Sequence, residues 1–435
     1  MLFRFNDMQK CLALVILSAA ACSSPQGGLF SSRIPHEKYL DKLNKSGLHT
    51  TELGQQWMQA ANKGLNRPVT IQLPYKETGY FDAAHPDAAG YRFQARRGEK
   101  LVIELSQKPV SNQELFLDLW QPGGNGQPKL LKAADSSLAG LEFEIKKDGN
   151  YMLRLQPELL AGLEYTITIR TAPSLEFPVA TTANPRIGSF WGDARDAGAR
   201  KHEGIDIFGK FRTPVVAAAD GLITSVTENR LGGKVVFMRP KGKDFVLYYA
   251  HLDSQMVQAG QSVKTGDVLG LIGNTGNARN TPPHLHFGIY GGGGAIDPFP
   301  FVNRQRADPP AIKASLNNLN EWVRSERKTN LFSSNNEKAE RAPLDNATIV
   351  QVKAATGNWY KVRLPDATEG FVLSSNISRN ILRQYTITDA SPVYDQPDST
   401  AAIKSIVSHQ KLAVMGTYKD YYYVKNDSLW GWVKD

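Results

Sequence analysis

Four of the eight histidines in this 435-residue chain lie in one stretch, between residues 202 and 286. Imidazole nitrogens and carboxylate oxygens are ligands for divalent metal ions, and a neutral imidazole can also accept a proton from water. The four histidines occur in three short strings: His202-Glu203-Gly204-Ile205-Asp206, Tyr249-Ala250-His251-Leu252 and Pro283-His284-Leu285-His286-Phe287. The clustering of these residue types predicts a metal-dependent site for hydrolysis.

The first string predicts two ligands on one face of an extended segment. Gly204 and the β-branched Ile205 are poor helix formers and favour an extended backbone. Residues four apart then share a face, so His202 and Asp206 can converge on one ion while Glu203 points away. The string therefore does not fit a helical H-E-x-x-H zinc site, and Glu203 is rejected as the general base.

The last string places His284 and His286 on one face of a predicted strand, with Leu285 and Phe287 turned inward. One of the two histidines can bind a metal while the other lies beside the metal's open position. Two neutral imidazoles and one carboxylate suit Zn²⁺ and leave a fourth position for water, whose pKa falls from about 15.7 towards 7 on binding. The remaining imidazoles can orient the water, take its proton or stabilise the oxyanion.

In order and spacing, the three strings resemble those of the LytM/lysostaphin-type zinc metalloendopeptidases, which cut peptidoglycan cross-links. The resemblance covers residues 178–302 and implies a β-sheet peptidase domain there. It implies that one Zn²⁺ per chain is held by His202, Asp206 and His286. It also implies that His251 and His284 are the catalytic imidazoles. Three further strings stand where the family has its turns: Ala219-Asp220-Gly221, Gly266-Asp267-Val268-Leu269-Gly270 and Gly273-Asn274-Thr275-Gly276.

Two departures from the family bear on the substrate more than on the chemistry. Gly288 stands where many members have an acidic residue, and residues 277–283 form a longer loop than usual. Peptidoglycan stem peptides are the implied partner. The expected bond is the D-Ala to diaminopimelate cross-link in a Gram-negative host, or glycyl-glycine in a host with glycine bridges, and the sequence leaves this choice open.

Two alternatives to catalysis remain. Family members that have lost zinc ligands act as activators of amidases, so a non-catalytic regulator is one alternative. A lipid-anchored scaffold that binds the cell wall is the other. All five implied site residues are present in this chain, which favours a zinc metalloendopeptidase.

The elements that position this site belong to a mainly β protein of several domains. Short segments with alternating apolar residues recur over residues 67–175 and predict a jelly-roll-like β-sandwich. This rhythm resembles the pre-peptidase modules that accompany secreted bacterial peptidases. The segment has no catalytic constellation, so we expect it to support the peptidase domain or to dock substrate.

A repeat closes the chain. Gly370-Phe371-Val372 and Gly431-Trp432-Val433 end two segments, 328–380 and 381–435, that resemble tandem bacterial SH3-like barrels. A linker is predicted over residues 303–327. The repeated aromatic residues either fill two small cores or line a groove for cell-wall peptides, and Trp430 and Tyr421 are the groove candidates.

The N-terminus predicts a lipid anchor. Residues 1–21 form a signal peptide, because their apolar run is too short to span a bilayer and follows basic residues. Their end resembles a bacterial lipobox, so we expect acylation of Cys22, with Met8 as the start. A tether and a helical segment are predicted over residues 22–66. The residue after Cys22 resembles that of outer-membrane lipoproteins, which implies the cell envelope, facing the periplasm of a Gram-negative host.

Composition excludes several other classes. Cys11 and Cys22 are the two cysteines, so the body of the chain has neither a disulfide framework nor a cysteine metal site. With 41% apolar and 21% charged residues, the chain is neither a disordered polymer nor a set of membrane spans. The net charge is +9, but basic and acidic residues are interleaved, which favours a solvated mixed surface over a nucleic-acid groove.

Overall fold

The computed structural model describes residues 33–109, 113–135, 140–195, 198–305 and 307–435. The prediction of a mainly β protein is confirmed. The predicted signal peptide (1–21), Cys22 and most of the predicted tether lie outside the described residues. Within the described ranges, no helix has both the length and the apolar character needed to cross a bilayer.

From residue 33 onwards, where the described residues begin, two helices precede the strands: α1 (Pro35–Lys45) and α2 (Glu52–Asn66). The Thr51 hydroxyl accepts a hydrogen bond from the Gly54 amide and caps the start of α2. Trp57 of α2 is almost fully buried, and its Nε1 donates to the Pro157 carbonyl at 2.8 Å. The Trp57 contact attaches α2 to the outside of a β-sandwich.

The described residues of the sandwich form nine strands: β1 (Val69–Thr70), β2 (Tyr75–Phe81), β3 (Ala89–Ala95), β4 (Glu99–Lys108), β5 (Leu115–Gln121), β6 (Lys129–Ala133), β7 (Gly140–Glu144), β8 (Gly149–Pro157) and β9 (Leu163–Pro173). One sheet has the order β1-β3-β8-β5-β6, and the other has the order β2-β9-β4-β7. Alternate residues of both sheets, such as Leu153 and Ile167, are fully buried between them. The two-residue period of the sequence therefore reflects one face turned to this core.

In the next domain, the part of the chain that the structure describes forms twelve strands and a short helix: β10 (Arg186–Ser189), β11 (Ala194–Arg195), β12 (Arg200–Lys201), β13 (Ile205–Phe208), β14 (Pro214–Val216), β15 (Gly221–Asn229), β16 (Gly233–Pro240), β17 (Phe245–Gln255), β18 (Ser262–Val263), β19 (Val268–Ile272), β20 (His284–Gly291), β21 (Gly294–Ile296) and α3 (Phe299–Val302). Its main sheet has the order β10-β13-β20-β17-β16-β15-β18. The neighbouring strands β13, β20 and β17 carry the site residues. Ile207, Leu285 and Tyr249 on these strands are fully buried and fix them in place.

The first C-terminal module follows, and its strands are β22 (Trp322–Ser325), β23 (Thr329–Phe332), β24 (Arg341–Leu344), β25 (Ile349–Thr356), β26 (Trp359–Arg363), β27 (Glu369–Leu373) and β28 (Ile377–Ser378). The structure differs here from the predicted linker, 303–327. β22 pairs with β25, and both Val323 and Ala314 are buried in the core of this module. In the sequence, polar residues surround these two apolar positions, so their burial cannot be recognised from the apolar pattern.

Strand pairing and ion pairs join the first C-terminal module to the sandwich. β25 pairs with β2, so one sheet runs through both units. The fully buried Glu77 of β2 accepts a hydrogen bond from Lys361 Nζ of β26 at 2.7 Å. Asp87 lies 2.9 Å from Lys353 and 2.8 Å from Arg363. The two units therefore pack as one body.

The second C-terminal module has six strands: β29 (Arg383–Ile387), β30 (Ser391–Tyr394), β31 (Ile403–Val407), β32 (Gln410–Tyr418), β33 (Tyr421–Lys425) and β34 (Trp430–Lys434). Trp430 is 41% exposed, and Lys404 Nζ lies 2.8 Å from its ring centroid. Tyr421 is buried in a cluster with Tyr423 and with Ile349 of the first module. The prediction of Tyr421 as a groove residue is therefore wrong, because its face of β33 packs against the neighbouring module.

Candidate metal centre

Strand register brings the predicted ligands together. β13 and β20 are antiparallel, and Asp206 stands directly opposite His286. Residues paired in this way point to the same face of the sheet. His202 lies four residues before Asp206, in the extended segment that enters β13, and it reaches the same face.

Three donor atoms form a nearly equilateral triangle. His202 Nε2 lies 2.9 Å from His286 Nδ1 and 3.0 Å from Asp206 Oδ1, and His286 Nδ1 lies 3.0 Å from Asp206 Oδ1. His202 and Asp206 are buried and His286 is nearly so. Within the described residues, this is the group of histidine and acidic side chains whose geometry could hold a metal ion.

The triangle fits a tetrahedral cation. With ligands about 2.05 Å from zinc, neighbouring ligand atoms in a regular tetrahedron are about 3.3 Å apart, a few tenths of an ångström more than the distances found here. His202 Nδ1 donates to the Phe190 carbonyl at 2.9 Å. Its proton is therefore on Nδ1, and its Nε2 presents a lone pair to the centre of the triangle. The donor set of two imidazoles and one carboxylate suits Zn²⁺.

The protonation of the site depends on burial and on the closeness of its side chains. Burial raises the pKa of the Asp206 carboxyl, but the His202 and His286 rings, each with a nitrogen 3.0 Å from Oδ1, outweigh burial and hold this pKa well below its ordinary value. Burial lowers the pKa of His286. The site thus contains an ionised carboxylate and favours a neutral His286 ring, which are the protonation states that metal binding requires.

The two predicted catalytic imidazoles lie beside the triangle. The ring centroids of His251 and His284 are 5.0 Å apart, and those of His251 and His286 are 5.8 Å apart. His284 Nε2 lies 4.0 Å from Asp206 Oδ1. The structure therefore brings all five residues predicted from the sequence into one site.

Backbone carbonyls fix the tautomers of both imidazoles. His251 Nδ1 donates to the Thr275 carbonyl at 2.9 Å, and His284 Nδ1 donates to the Pro282 carbonyl at 2.9 Å. Each ring keeps a lone pair on Nε2. Burial, with the nearby His284 and His286 rings, lowers the pKa of His251 to about 4. His251 is therefore neutral at pH 7 and able to accept a proton.

A break in strand pairing aims His251 at the site. β17 pairs with β20 as far as Ala250, opposite His286, and pairs with β19 from Leu252 onwards. His251 lies between these two ladders with a φ of 61°, a left-handed conformation that is uncommon outside glycine. Its amide donates to the Gly232 carbonyl at 2.7 Å, which holds this backbone in place.

The five side chains line a cleft of about 680 Å³. All of its lining residues belong to the segment from 189 to 290, and no described residue of the sandwich or of the C-terminal modules lines it. Tyr248 and Tyr290 form part of the wall, and the Tyr248 ring meets the His286 ring edge to face at 5.9 Å. In this structure the described parts of the flanking domains leave the cleft uncovered.

Sequence reasoning missed the residues that support the ligands from behind. Arg195 Nη2 lies 2.6 Å from Asp206 Oδ2, and Ser189 and Asp193 join the same network. The one feature of the sequence that could have indicated these three residues is their position shortly before His202, in a turn-rich stretch. The carbonyls of Thr275 and Pro282 carry no such signal.

The geometry agrees with a comparison against known families. Residues 200–298 match the model of Peptidase family M23. The chain therefore contains a peptidase M23 domain of the LytM type. The match includes all five site residues, from His202 to His286.

Two curated relatives and one solved structure are similar to this M23 domain. The L-Ala--D-Glu endopeptidase of Bacillus subtilis is 35% identical over 138 residues, which are 29% of this chain and 42% of that protein. The peptidoglycan DD-endopeptidase ShyC of Vibrio cholerae is 35% identical over 88 residues, which are 20% of each chain. The catalytic domain of the antimicrobial peptidase lysostaphin from Staphylococcus simulans is 31% identical over 27% of this chain and 92% of that one, with a TM-score of 0.25. The chain thus spans between a fifth and about two fifths of the two curated relatives.

Proposed function

We propose that the protein is a zinc-dependent endopeptidase that hydrolyses peptide cross-links of bacterial peptidoglycan. One observation carries this proposal: three donor atoms lie within 3.0 Å of one another, beside two imidazoles whose free nitrogens are set by backbone carbonyls. The M23 domain supports the substrate class, as do relatives named an L-Ala--D-Glu endopeptidase and a peptidoglycan DD-endopeptidase.

His202, Asp206 and His286 would hold one Zn²⁺. When bound, the ion supplies Lewis-acid chemistry: it polarises the scissile carbonyl and lowers the pKa of a water to about 7. The carboxylate of Asp206 balances part of the positive charge, and the hydrogen bond from His202 to Phe190 keeps the His202 ring in its ligand tautomer.

His251 and His284 would handle the proton and the developing negative charge. The neutral His251 ring accepts the proton of the attacking water at Nε2, and its pKa of about 4 in the free protein leaves it unprotonated at neutral pH. His284, whose ring centroid lies 5.0 Å from that of His251, orients the water or stabilises the tetrahedral oxyanion through Nε2. The hydrogen bonds to Thr275 and Pro282 keep both rings from turning away.

The open cleft suits a substrate that is part of a large polymer. The described parts of the flanking domains leave it accessible, and its lining spans the segment from 189 to 290. We further propose that acylation of Cys22 holds the chain at a membrane of the cell envelope, facing the wall. The five assembled site residues favour catalysis over the regulator alternative.

The test is digestion of purified peptidoglycan by the mature full-length chain. We expect zinc-loaded protein to release muropeptides whose masses identify the cleaved bond, tested on Gram-negative sacculi and on walls with glycine bridges. His284→Ala should bind zinc and fold but release nothing. His409→Asn, a change of an exposed histidine in the second C-terminal module, is the matched control and should retain full activity. A folded, zinc-loaded wild type that leaves every muropeptide intact would refute the proposal.

A further inference from the structure

Arg195 reaches into the metal centre from outside the five predicted residues. It lies on β11, in a hairpin with β12 that leads directly to His202. Its Nη2 lies 2.6 Å from Asp206 Oδ2 and 2.6 Å from Ser189 Oγ. The side chain is one-third exposed and lines the cleft. It is therefore close enough to the carboxylate to control its orientation.

We propose that Arg195 is a positioning residue for the metal centre, which fixes Asp206 so that one carboxylate oxygen faces the two histidines. This inference rests on the proposed function and adds a determinant of metal affinity and of the open coordination position. Arg195 acts through Asp206 and not on the substrate.

The two oxygens of Asp206 have different partners. Oδ1 lies 3.0 Å from both His202 Nε2 and His286 Nδ1, whereas Oδ2 is held by the guanidinium of Arg195. A carboxylate with no partner on its second oxygen can turn about its Cβ–Cγ bond and offer both oxygens to an ion. Such two-oxygen donation would occupy the position that a water or the substrate needs. The ion pair with Arg195 opposes this rotation.

A short network holds Arg195 in place and links it to a second ligand. Ser189 Oγ donates to Asp193 Oδ2 at 2.8 Å, and the Phe190 amide donates to the same oxygen at 2.8 Å. The Phe190 carbonyl accepts from His202 Nδ1 at 2.9 Å. Segment 189–195 thus orients both His202 and Asp206. Outer contacts of this kind, when removed, typically reduce metal affinity by about 10- to 100-fold.

The charge of Arg195 is the second part of its effect. Asp206 is largely buried, and a buried carboxylate is costly unless it is paired. Arginine stays protonated at every working pH and matches a carboxylate with planar donors, which lysine does not. Replacing Arg195 by lysine should therefore keep the positive charge but hold the Asp206 carboxylate less firmly in its orientation.

The test measures metal binding directly. Arg195→Met removes the charge and the donors at similar length, and we expect Zn²⁺ affinity, measured by chelator competition on the full chain, to fall about 10- to 100-fold. The Zn²⁺ affinity of Arg195→Lys should lie between those of Arg195→Met and the wild type. Arg186→Gln, which removes an exposed charge from β10, is the control and should bind Zn²⁺ like the wild type.

Cobalt substitution reports on orientation separately from affinity. Co²⁺ absorbs strongly in the visible range in four-coordinate sites and weakly at higher coordination. We expect saturated Arg195→Met to show weaker absorption per bound Co²⁺ than the wild type, because Asp206 is then free to donate both oxygens. A merely structural role for Arg195 would leave this spectrum unchanged.

Two results would overturn the inference: Zn²⁺ affinity of folded Arg195→Met within twofold of the wild type, or an unchanged cobalt spectrum. If Arg195→Met does not fold, Ser189→Ala decides, since it removes one anchor of the guanidinium and should reduce Zn²⁺ affinity at least threefold. A wild type that binds zinc and hydrolyses peptidoglycan while these variants bind normally refutes the role of Arg195 alone. A wild type that binds zinc without hydrolysis refutes the proposed function alone.

Discussion

Gly204 lies directly against the ring of His286. A Cβ atom added to Gly204 would be 2.7 Å from Cε1 and 2.8 Å from Nε2 of that ring, and 2.6 Å from the Phe287 carbonyl oxygen. The residue between His202 and Asp206 on the ligand face must therefore lack a side chain. This close approach explains why a glycine separates the two ligands.

Gly204→Ala should displace His286 and weaken the metal centre. The added methyl group would clash with the Phe287 carbonyl as well as with the His286 ring, so movement of the ring alone cannot relieve the clash. We expect a fall of at least tenfold in Zn²⁺ affinity, measured by chelator competition. Gly292→Ala, at a hairpin tip with no atom within 4 Å of the added Cβ, is the control and should bind zinc normally. Full zinc binding by Gly204→Ala would contradict this reading of the site.

His251 and His286 should separate catalysis from metal binding. Because His251 contacts the site but belongs to the proposed proton-transfer pair, His251→Ala should retain one zinc per chain and lose about 10²- to 10⁴-fold in kcat. His286→Ala removes a proposed ligand and should lose the zinc as well. Zinc content and muropeptide release, measured on the same samples, distinguish the two. Loss of zinc in His251→Ala would instead make His251 a ligand.

The sequence was sufficient to predict which side chains share a face. Period-two alternation places His202 with Asp206 and His284 with His286, and strand pairing then joins the two sets. The position of His251 could not be predicted from periodicity, because it depends on a bulge and a left-handed backbone conformation. Arg195 could not be assigned either, since its contact with Asp206 requires the β11–β12 hairpin to fold back on the site.

The second half of the chain shows a different limit of sequence reasoning. Repeated aromatic residues indicate small β-modules, but whether one faces its own core, a neighbouring module or solvent depends on how the modules pack. Tyr421 is buried against the first module, whereas Trp430 stays exposed. For the same reason, the buried pair of Glu77 and Lys361 could not be predicted, because its members lie 284 residues apart in the chain.

Lys361→Met should destabilise the sandwich and the first C-terminal module together. The change leaves Glu77, which is fully buried, without its cationic partner, and such losses typically cost about 3–5 kcal/mol of unfolding free energy. Urea unfolding should show one shifted transition for both units, because a single sheet runs through them. Lys100→Met, which breaks an exposed pair with Glu142, should cost about 1 kcal/mol or less. Pairing Lys361→Met with Glu77→Gln should recover part of the loss.

His36 should make the attachment of the N-terminal helices sensitive to acid. The ring is buried, stacks on Trp57 at a centroid distance of 4.7 Å, and shares a hydrogen bond with Gln156 at 2.8 Å. Burial, together with the positive charge of Arg154, lowers the pKa of His36 from 6.5 to about 3. As the pH falls through 6.5, His36 therefore binds a proton in the unfolded chain but stays neutral in the folded chain. Stability falls as pH drops below 6.5, by roughly 2 kcal/mol at pH 5, and the loss ends near pH 3.

His36→Gln tests this origin of the acid sensitivity, because glutamine keeps a polar partner for Gln156 but does not titrate. We expect its unfolding free energy to change less between pH 7 and pH 5 than that of the wild type, by roughly the 2 kcal/mol assigned to His36. His85→Gln, which alters an exposed histidine, should retain the wild-type slope. Since the other buried histidines are common to all three proteins, the difference in slope isolates His36. Equal slopes in the wild type and His36→Gln would mean that the His36 ring has the same pKa in the folded and unfolded chain, which would contradict the effect assigned to its burial against Trp57.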